Sequence, residues 1–145
     1  MQKITFSTGD RPFIFKQKEN LKIFIETIFL KEKKKLAEIN YVFCTDAMLL
    51  EINQNFLQHD YYTDIITFGL SEKNQPIEAE IYISIDRVKE NAKDLRITYQ
   101  QEMLRVLFHG ALHLCGYKDK SKADIKIMRT KEDFYIKLYN KQTQP

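Results

Sequence analysis

The stretch from Thr98 to Cys115 constrains this chain more than any other. Met103, Val106, Leu107, Gly110, Ala111 and Leu114 form one apolar face at helical spacing, and Leu104, Phe108 and Leu112 widen it. A helix apolar around most of its circumference has to be covered on most sides. Thr98, with Gln101 three residues on, has the form of a capping box and opens the helix. Gly116 can end it in a left-handed turn. One narrow polar stripe remains, made of Glu102, Arg105, His109 and His113. Unpaired polar groups are costly to bury, so a buried helix with a single polar stripe is a site candidate.

The rest of the chain supplies the layers around that helix. Residues 2 to 8 alternate, with Ile4 and Phe6 on one face, and read as a strand. A turn at Gly9 to Pro12 follows. Leu21, Phe24, Ile25, Ile28 and Phe29 give the stripe of a core-facing helix from about residue 17. That helix ends in the run Lys31 to Lys35, which reads as a solvated helix end, with an RNA-facing patch as the minority reading. Residues 38 to 44 read as a second strand, with Ile39, Tyr41 and Phe43 alternating. Asp46 is the expected cap of a short helix through Phe56 carrying Met48, Leu49 and Ile52. A loop from Gln58 to Tyr62, containing His59, leads to a third strand, Thr63 to Phe68. A fourth strand is expected over 79 to 85, with Ile81, Ile83 and Ile85 on one face. Ser84 or Asp86 then starts a helix to about residue 95. Ser121 caps a last helix to about Leu138, through Ile125, Met128 and Tyr135, and the tail from Gln142 is expected to fray.

The order β-α-β-α-β-β-α-α-α predicts an α+β fold, a four-stranded sheet layered with about five helices, as one domain over 1–145. The two cysteines, Cys44 and Cys115, do not form a disulfide framework. No apolar run approaches the ~20 residues of a membrane span, and the N-terminus has no basic segment followed by an apolar one. A cytoplasmic protein is the expectation. A net charge of +3 permits a nucleic-acid partner without demanding one.

The chemistry concentrates at the end of the central helix. His109 and His113, four apart, place both imidazoles on one face, the separation of two zinc ligands on one helix. If the chain reverses at Gly116, Asp119 can return as a third ligand, and the open fourth position suits a catalytic rather than a structural metal. Two satisfied histidines, one exposed and one packed, are the competing reading. Two His and one carboxylate would also suit iron. The position that holds glutamate in His-Glu-x-x-His zinc proteases is Gly110, which disfavours a protease and is expected to leave room near the metal. Glu102 sits two turns before His109, about 10 Å away by helix rise. It and Arg105 are weak catalytic candidates, and a structural role fits Glu102 as well. Lys118 and Lys120 are weak candidates for RNA contact. Cys115 is rotated off the ligand face and reads as a core thiol.

Taken together, His109-Gly-Ala-Leu-His-Leu-Cys-Gly-Tyr-Lys-Asp119 resembles the signature of the YbeY family, bacterial metal-dependent endoribonucleases also called ribosomal RNA maturation factors. The family pattern is His-Gly-x-Leu-His-Leu-x-Gly-Tyr-Asp-His. Thr63 to Phe68 is similar to the family's Thr-(Asp/Asn)-Val-Leu-Ser-Phe, and Glu80 to Ser84 to its Gly-Asp-Ile-x-Ile-Ser. Two positions depart: Asp119 stands where the family has histidine, and Leu57 where it has an arginine. That arginine is thought to help the RNA chemistry; Arg105, Lys118 or Lys120 could take over phosphate contact. The resemblance implies one zinc ion per chain and a single-strand-specific endoribonuclease. It also implies work on ribosomal RNA, at the small-subunit 3′ end, and in ribosome quality control. The implied partners are ribosomal RNA, the ribosome or its small subunit, and other ribosome-maturation proteins. The alternative is a ribosome- or RNA-binding assembly factor whose metal is structural or vestigial. A metal hydrolase for a non-RNA substrate is the third reading.

Overall fold

The computed structural model describes residues 2–58 and 63–143, so the loop expected from Gln58 to Tyr62 lies, beyond Gln58, outside the described residues. The elements follow the expected order: β1 (Ile4–Thr8), α1 (Lys18–Lys31), β2 (Leu36–Cys44), α2 (Asp46–Leu57), β3 (Ile65–Gly69), β4 (Ile77–Ser84), α3 (Ile85–Leu95), α4 (Tyr99–Leu114) and α5 (Lys122–Thr143). The fold is α+β, with four strands and five helices among the described residues.

Several boundaries move, each for a local reason. Thr45, not Asp46, caps α2: its backbone is extended and its hydroxyl accepts from the Met48 amide at 3.2 Å. Asp46, one position inside, instead accepts from Ser84 Oγ at 2.6 Å and Arg87 Nη2 at 2.8 Å. Ser84 closes β4 and caps α3 by accepting from the Arg87 amide at 3.0 Å, so Ile85 opens the helix and does not extend the strand. Phe56 sits on α2 as expected but is 71% exposed, and Ile125 on α5 is 44% exposed. Ser121 caps α5 as expected, its hydroxyl accepting from the Asp124 amide at 3.0 Å. The helix then runs past Leu138 to Thr143, so Gln142 and Thr143 are helical and not frayed.

The strands lie in the order β1-β2-β4-β3. β1, β2 and β4 run parallel, and β3 is antiparallel on the β4 edge. The register sets Tyr41 beside Ile81 and Phe43 beside Ile83, which is itself opposite Ile65. Alternation then sends Ile39, Tyr41, Phe43, Ala79, Ile81 and Ile83 to one face, all buried. That face, with the buried stripe of α1 and residues from α3, α4 and α5, makes the main core. The opposite face carries a smaller cluster, where Leu49 of α2 packs with Cys44 and Ile66. Among the described residues no helix is long and apolar enough to cross a membrane.

α4 is the covered helix that its composition required: nine of its residues are buried, Glu102 among them. Two contacts lock it to the sheet. The buried Tyr41 hydroxyl donates to the Leu107 carbonyl at 3.0 Å. Gly110 lets the helix approach so closely that a Cβ there would lie 3.0 Å from Ile65 Cδ1 and 3.1 Å from Ile81 Cδ1. Gly110 therefore serves the helix–sheet contact, and the expectation that it leaves room near a metal is corrected. Gly110→Ala is expected to cost about 1–3 kcal/mol by overpacking. A urea titration reads this, and an unchanged midpoint would mean that α4 is not held this tightly.

Candidate active site

α4 delivers His109 and His113 because its apolar faces are committed to the core, which leaves the polar stripe turned to the one open side. The helix ends through Gly116, at φ +111°. The Gly116 amide donates to the His113 carbonyl at 3.0 Å and the Tyr117 amide to the Leu112 carbonyl at 3.1 Å, a left-handed termination. The chain reverses there as expected. Asp119 comes back with Oδ2 3.3 Å from His109 Nε2.

Both imidazoles have their Nδ1 engaged from behind. His109 Nδ1 lies 2.7 Å from Glu132 Oε2, and His113 Nδ1 lies 3.2 Å from the Tyr117 carbonyl. A carbonyl or an ionised carboxylate can only accept, so Nδ1 carries a proton in both rings, and Nε2 presents a lone pair whenever the ring is neutral. That is the outer-layer arrangement that orients histidines as metal ligands. The contact of a lone-pair Nε2 with a carboxylate oxygen needs a positive species between them, a proton or a cation. In the chain alone, burial disfavours the charged His109 ring. The hydrogen bond to Glu132 outweighs it, with the charges of Glu132, Asp119 and Asp64, and the pKa is raised.

Two cavities share the His109–Asp119 wall. One, of about 390 Å³, is lined by Asp64, Glu102, Arg105, His109, Asp119, Arg129 and Glu132 among others. The second, of about 370 Å³, is lined by His109, His113 and Asp119, with Asn53, Leu57 and Thr67. The three expected ligands thus line one cavity, but they are not gathered equally. His109 and Asp119 are in contact, whereas His113 is exposed and turned back on Tyr117. Among the described residues no three His, Cys, Asp or Glu side chains converge closely enough to hold a metal ion as they stand. The donor set, two lone-pair imidazoles and a carboxylate, nevertheless fits a divalent cation in its chemistry.

Leu57, the position of the missing arginine, faces the second cavity and is 40% exposed. Arg105 lines the first cavity but is engaged, with Nη1 2.9 Å from Glu132 Oε1 and Nη2 2.8 Å from Asp133 Oδ1. Glu102 is buried beside it, with Oε1 4.0 Å from Arg105 Nε and no hydrogen bond to that oxygen. Burial and the Asp64 charge raise the Glu102 pKa against the pull of Arg105 and Arg129. Lys118 and Lys120 are exposed on the turn and line neither cavity. Cys44 and Cys115 are free and buried, and burial pushes both thiols up to about 12, so neither is a nucleophile.

Sequence reasoning missed three residues. Glu132 is the buried centre of the site, receiving Arg105, His109 and, at 3.5 Å, Arg129. Its signal was available: it stands four residues after Met128 on the buried stripe of α5, an unlikely place for an unpaired carboxylate. Asp64 lines the first cavity, and burial raises its pKa, partly offset by the His109 charge. Glu32, inside the lysine run, anchors the turn that carries Asp119. It accepts from Tyr117 Oη at 2.7 Å, from Lys131 Nζ at 3.3 Å and from Tyr135 Oη. Burial would raise its pKa, but these hydrogen bonds prevail and hold the carboxyl below its usual range.

The profile of a known family, endoribonuclease YbeY, matches residues 5–140. An endoribonuclease YbeY of Cytophaga hutchinsonii is 47% identical over 137 residues, covering 94% of this chain and 96% of the relative. One of Flavobacterium psychrophilum is 51% identical over 116 residues, covering 80% and 82%. The solution structure of a Thermotoga maritima protein superimposes with a TM-score of 0.62 at 29% identity, covering 94% of this chain and 88% of the other.

Proposed function

Because this chain belongs to the endoribonuclease YbeY family, we propose that it is a zinc-dependent endoribonuclease that cleaves single-stranded RNA in ribosomal RNA maturation. The observation that carries the metal part is the pairing of His109 Nε2 with Asp119 while Glu132 holds Nδ1. His109, His113 and Asp119 are the residues that would hold the ion. When bound, zinc supplies Lewis acidity, acidifying water and polarising a phosphoryl oxygen. Glu132 fixes the His109 tautomer and, with Tyr117, presents both Nε2 atoms to the shared cavity. The two cavities that share His109 and Asp119 offer room for a strand next to these residues. Action at the small-subunit 3′ end, in ribosome quality control and with ribosome-maturation partners in the cytoplasm follows from the family and belongs to the same proposal.

The test is metal content by mass spectrometry on the purified wild type and Asp119→Ala, followed by cleavage of a single-stranded RNA. One zinc per chain in the wild type, lost or weakened in Asp119→Ala together with cleavage, is the expected result. Equal zinc in both proteins would remove Asp119 from the ligand set. No metal in either, even after zinc is supplied, would sink the hydrolase and leave the second reading, an RNA-binding assembly factor. That no three ligand side chains converge among the described residues is what favours that second reading.

A further inference from the structure

The positive charge of this chain is concentrated beside the site. From Lys118 to Lys131 six cationic side chains stand against two acidic ones, a net +4, while the whole chain carries +3. All other residues together are therefore net −1. Lys122, Lys126 and Arg129 fall at i, i+4 and i+7 on α5, so they share one stripe of the helix, which extends about 10 Å. All three are exposed. The stripe is tied to the site at one end: Arg129, with Ile125 and Met128, lines the cavity that contains His109 and Asp119.

The two arginines of that cavity differ. Arg105 is 17% exposed and bridges Glu132 and Asp133. Arg129 is 59% exposed and has a single contact at 3.5 Å, to a carboxylate that already accepts two stronger hydrogen bonds. Arg129 is thus the cation at the cavity mouth that can take an anion without dismantling the site. Its planar fork suits a phosphate.

Resting on the RNA-cleaving reading above, we propose that the RNA backbone leaves the site along the first two turns of α5. Arg129 takes the phosphate at the cavity mouth, and Lys126 and Lys122 take those that follow. Lys118 and Lys120, on the turn before α5, extend the same surface. The contacts are to phosphate, so this surface sets affinity and path but carries no base specificity.

Binding of a short, labelled, mixed-sequence single-stranded RNA, read by fluorescence anisotropy between about 50 and 200 mM salt, tests this. The Lys122→Ala/Lys126→Ala/Arg129→Ala protein is compared with the wild type. The control, Lys3→Ala/Lys16→Ala/Lys73→Ala, removes the same charge from exposed positions that line neither cavity. Each phosphate contact adds about 0.7 to the slope of log K against log salt for a single strand, so the α5 triple should lose about 2 from the slope and the control much less. In zinc-loaded protein the α5 triple should also raise KM with kcat retained. An unchanged slope, or equal losses in both triples, overturns the proposal. If the wild type cleaves but the α5 triple behaves like the control, the enzyme reading survives and this path falls. If the wild type binds through α5 but never cleaves, the path survives and the enzyme reading falls. A wild type that does not bind the RNA overturns both.

Discussion

Replacing Glu132 by alanine is expected to lower the unfolding free energy by about 3–5 kcal/mol, the usual cost of removing one partner from a buried ionic cluster. Its side chain is only 3% exposed and accepts from Arg105 at 2.9 Å and His109 at 2.7 Å. Without it, Arg105 keeps the exposed Asp133 at 2.8 Å and the looser approach of Glu102 at 4.0 Å, and its largely buried guanidinium loses its close inner partner. The alanine also leaves a void between α4 and α5, where Met128 and Ile136 pack around the same stripe. Glu132→Gln keeps the volume and one acceptor oxygen and should cost less, about 1–3 kcal/mol. Both variants should weaken metal binding by about 10–100-fold, because an amide no longer holds His109 as the charged carboxylate does. Urea unfolding and zinc titration together check this. An alanine variant within 1 kcal/mol of the wild type would show that the cluster relaxes without Glu132 and that the carboxylate serves the metal alone.

What could be read in the sequence follows from how local each cause is. The central helix, its Thr98 cap and its end at Gly116 depend on neighbours within a few residues, and all three stand as expected. The strand faces depend on alternation alone, and Ile39, Tyr41 and Phe43 are buried as expected. The return of Asp119 to His109 was legible for the same reason, since ten residues and one tight turn separate them. Glu132 lies 23 residues from His109 on a different helix, and periodicity says which face of α5 is buried but not what it is buried against. Glu32 lies 85 residues from Tyr117, and a lysine run hides a carboxylate whose partners come from the other end of the chain. Gly110 was seen, but its reason was misassigned, because the pressing atoms belong to Ile65 and Ile81 across the sheet. Spacing and the turn at Gly116 point to His109, His113 and Asp119 independently of any family resemblance, and Asp119, where the family has histidine, lies with Oδ2 3.3 Å from His109 Nε2.

His109→Ala is expected to have the largest effect on activity. Among the described residues His109 is the one imidazole that lines both cavities, and it touches both Asp119 and Glu132. Alanine removes one of the proposed ligands and leaves Asp119 without its imidazole neighbour. If the ion supplies several kcal/mol of charge stabilisation in the transition state, cleavage should fall by about 10³-fold or more. The fold should survive. The ring is partly exposed, and Glu132 keeps its Arg105 pair, so the loss in stability should stay near 1–2 kcal/mol, well below that of Glu132→Ala. RNA affinity should also persist, since the proposed phosphate contacts lie on α5. Cleavage, thermal unfolding and RNA binding measured on one preparation separate the readings. Lost cleavage with retained folding and binding identifies His109 as a ligand of a catalytic ion. Lost folding instead would make the ion structural and the chain an assembly factor, because a metal that holds α4 to the turn at Gly116 would stabilise the native state whether or not RNA is cut. Unimpaired cleavage would place the chemistry away from this helix altogether.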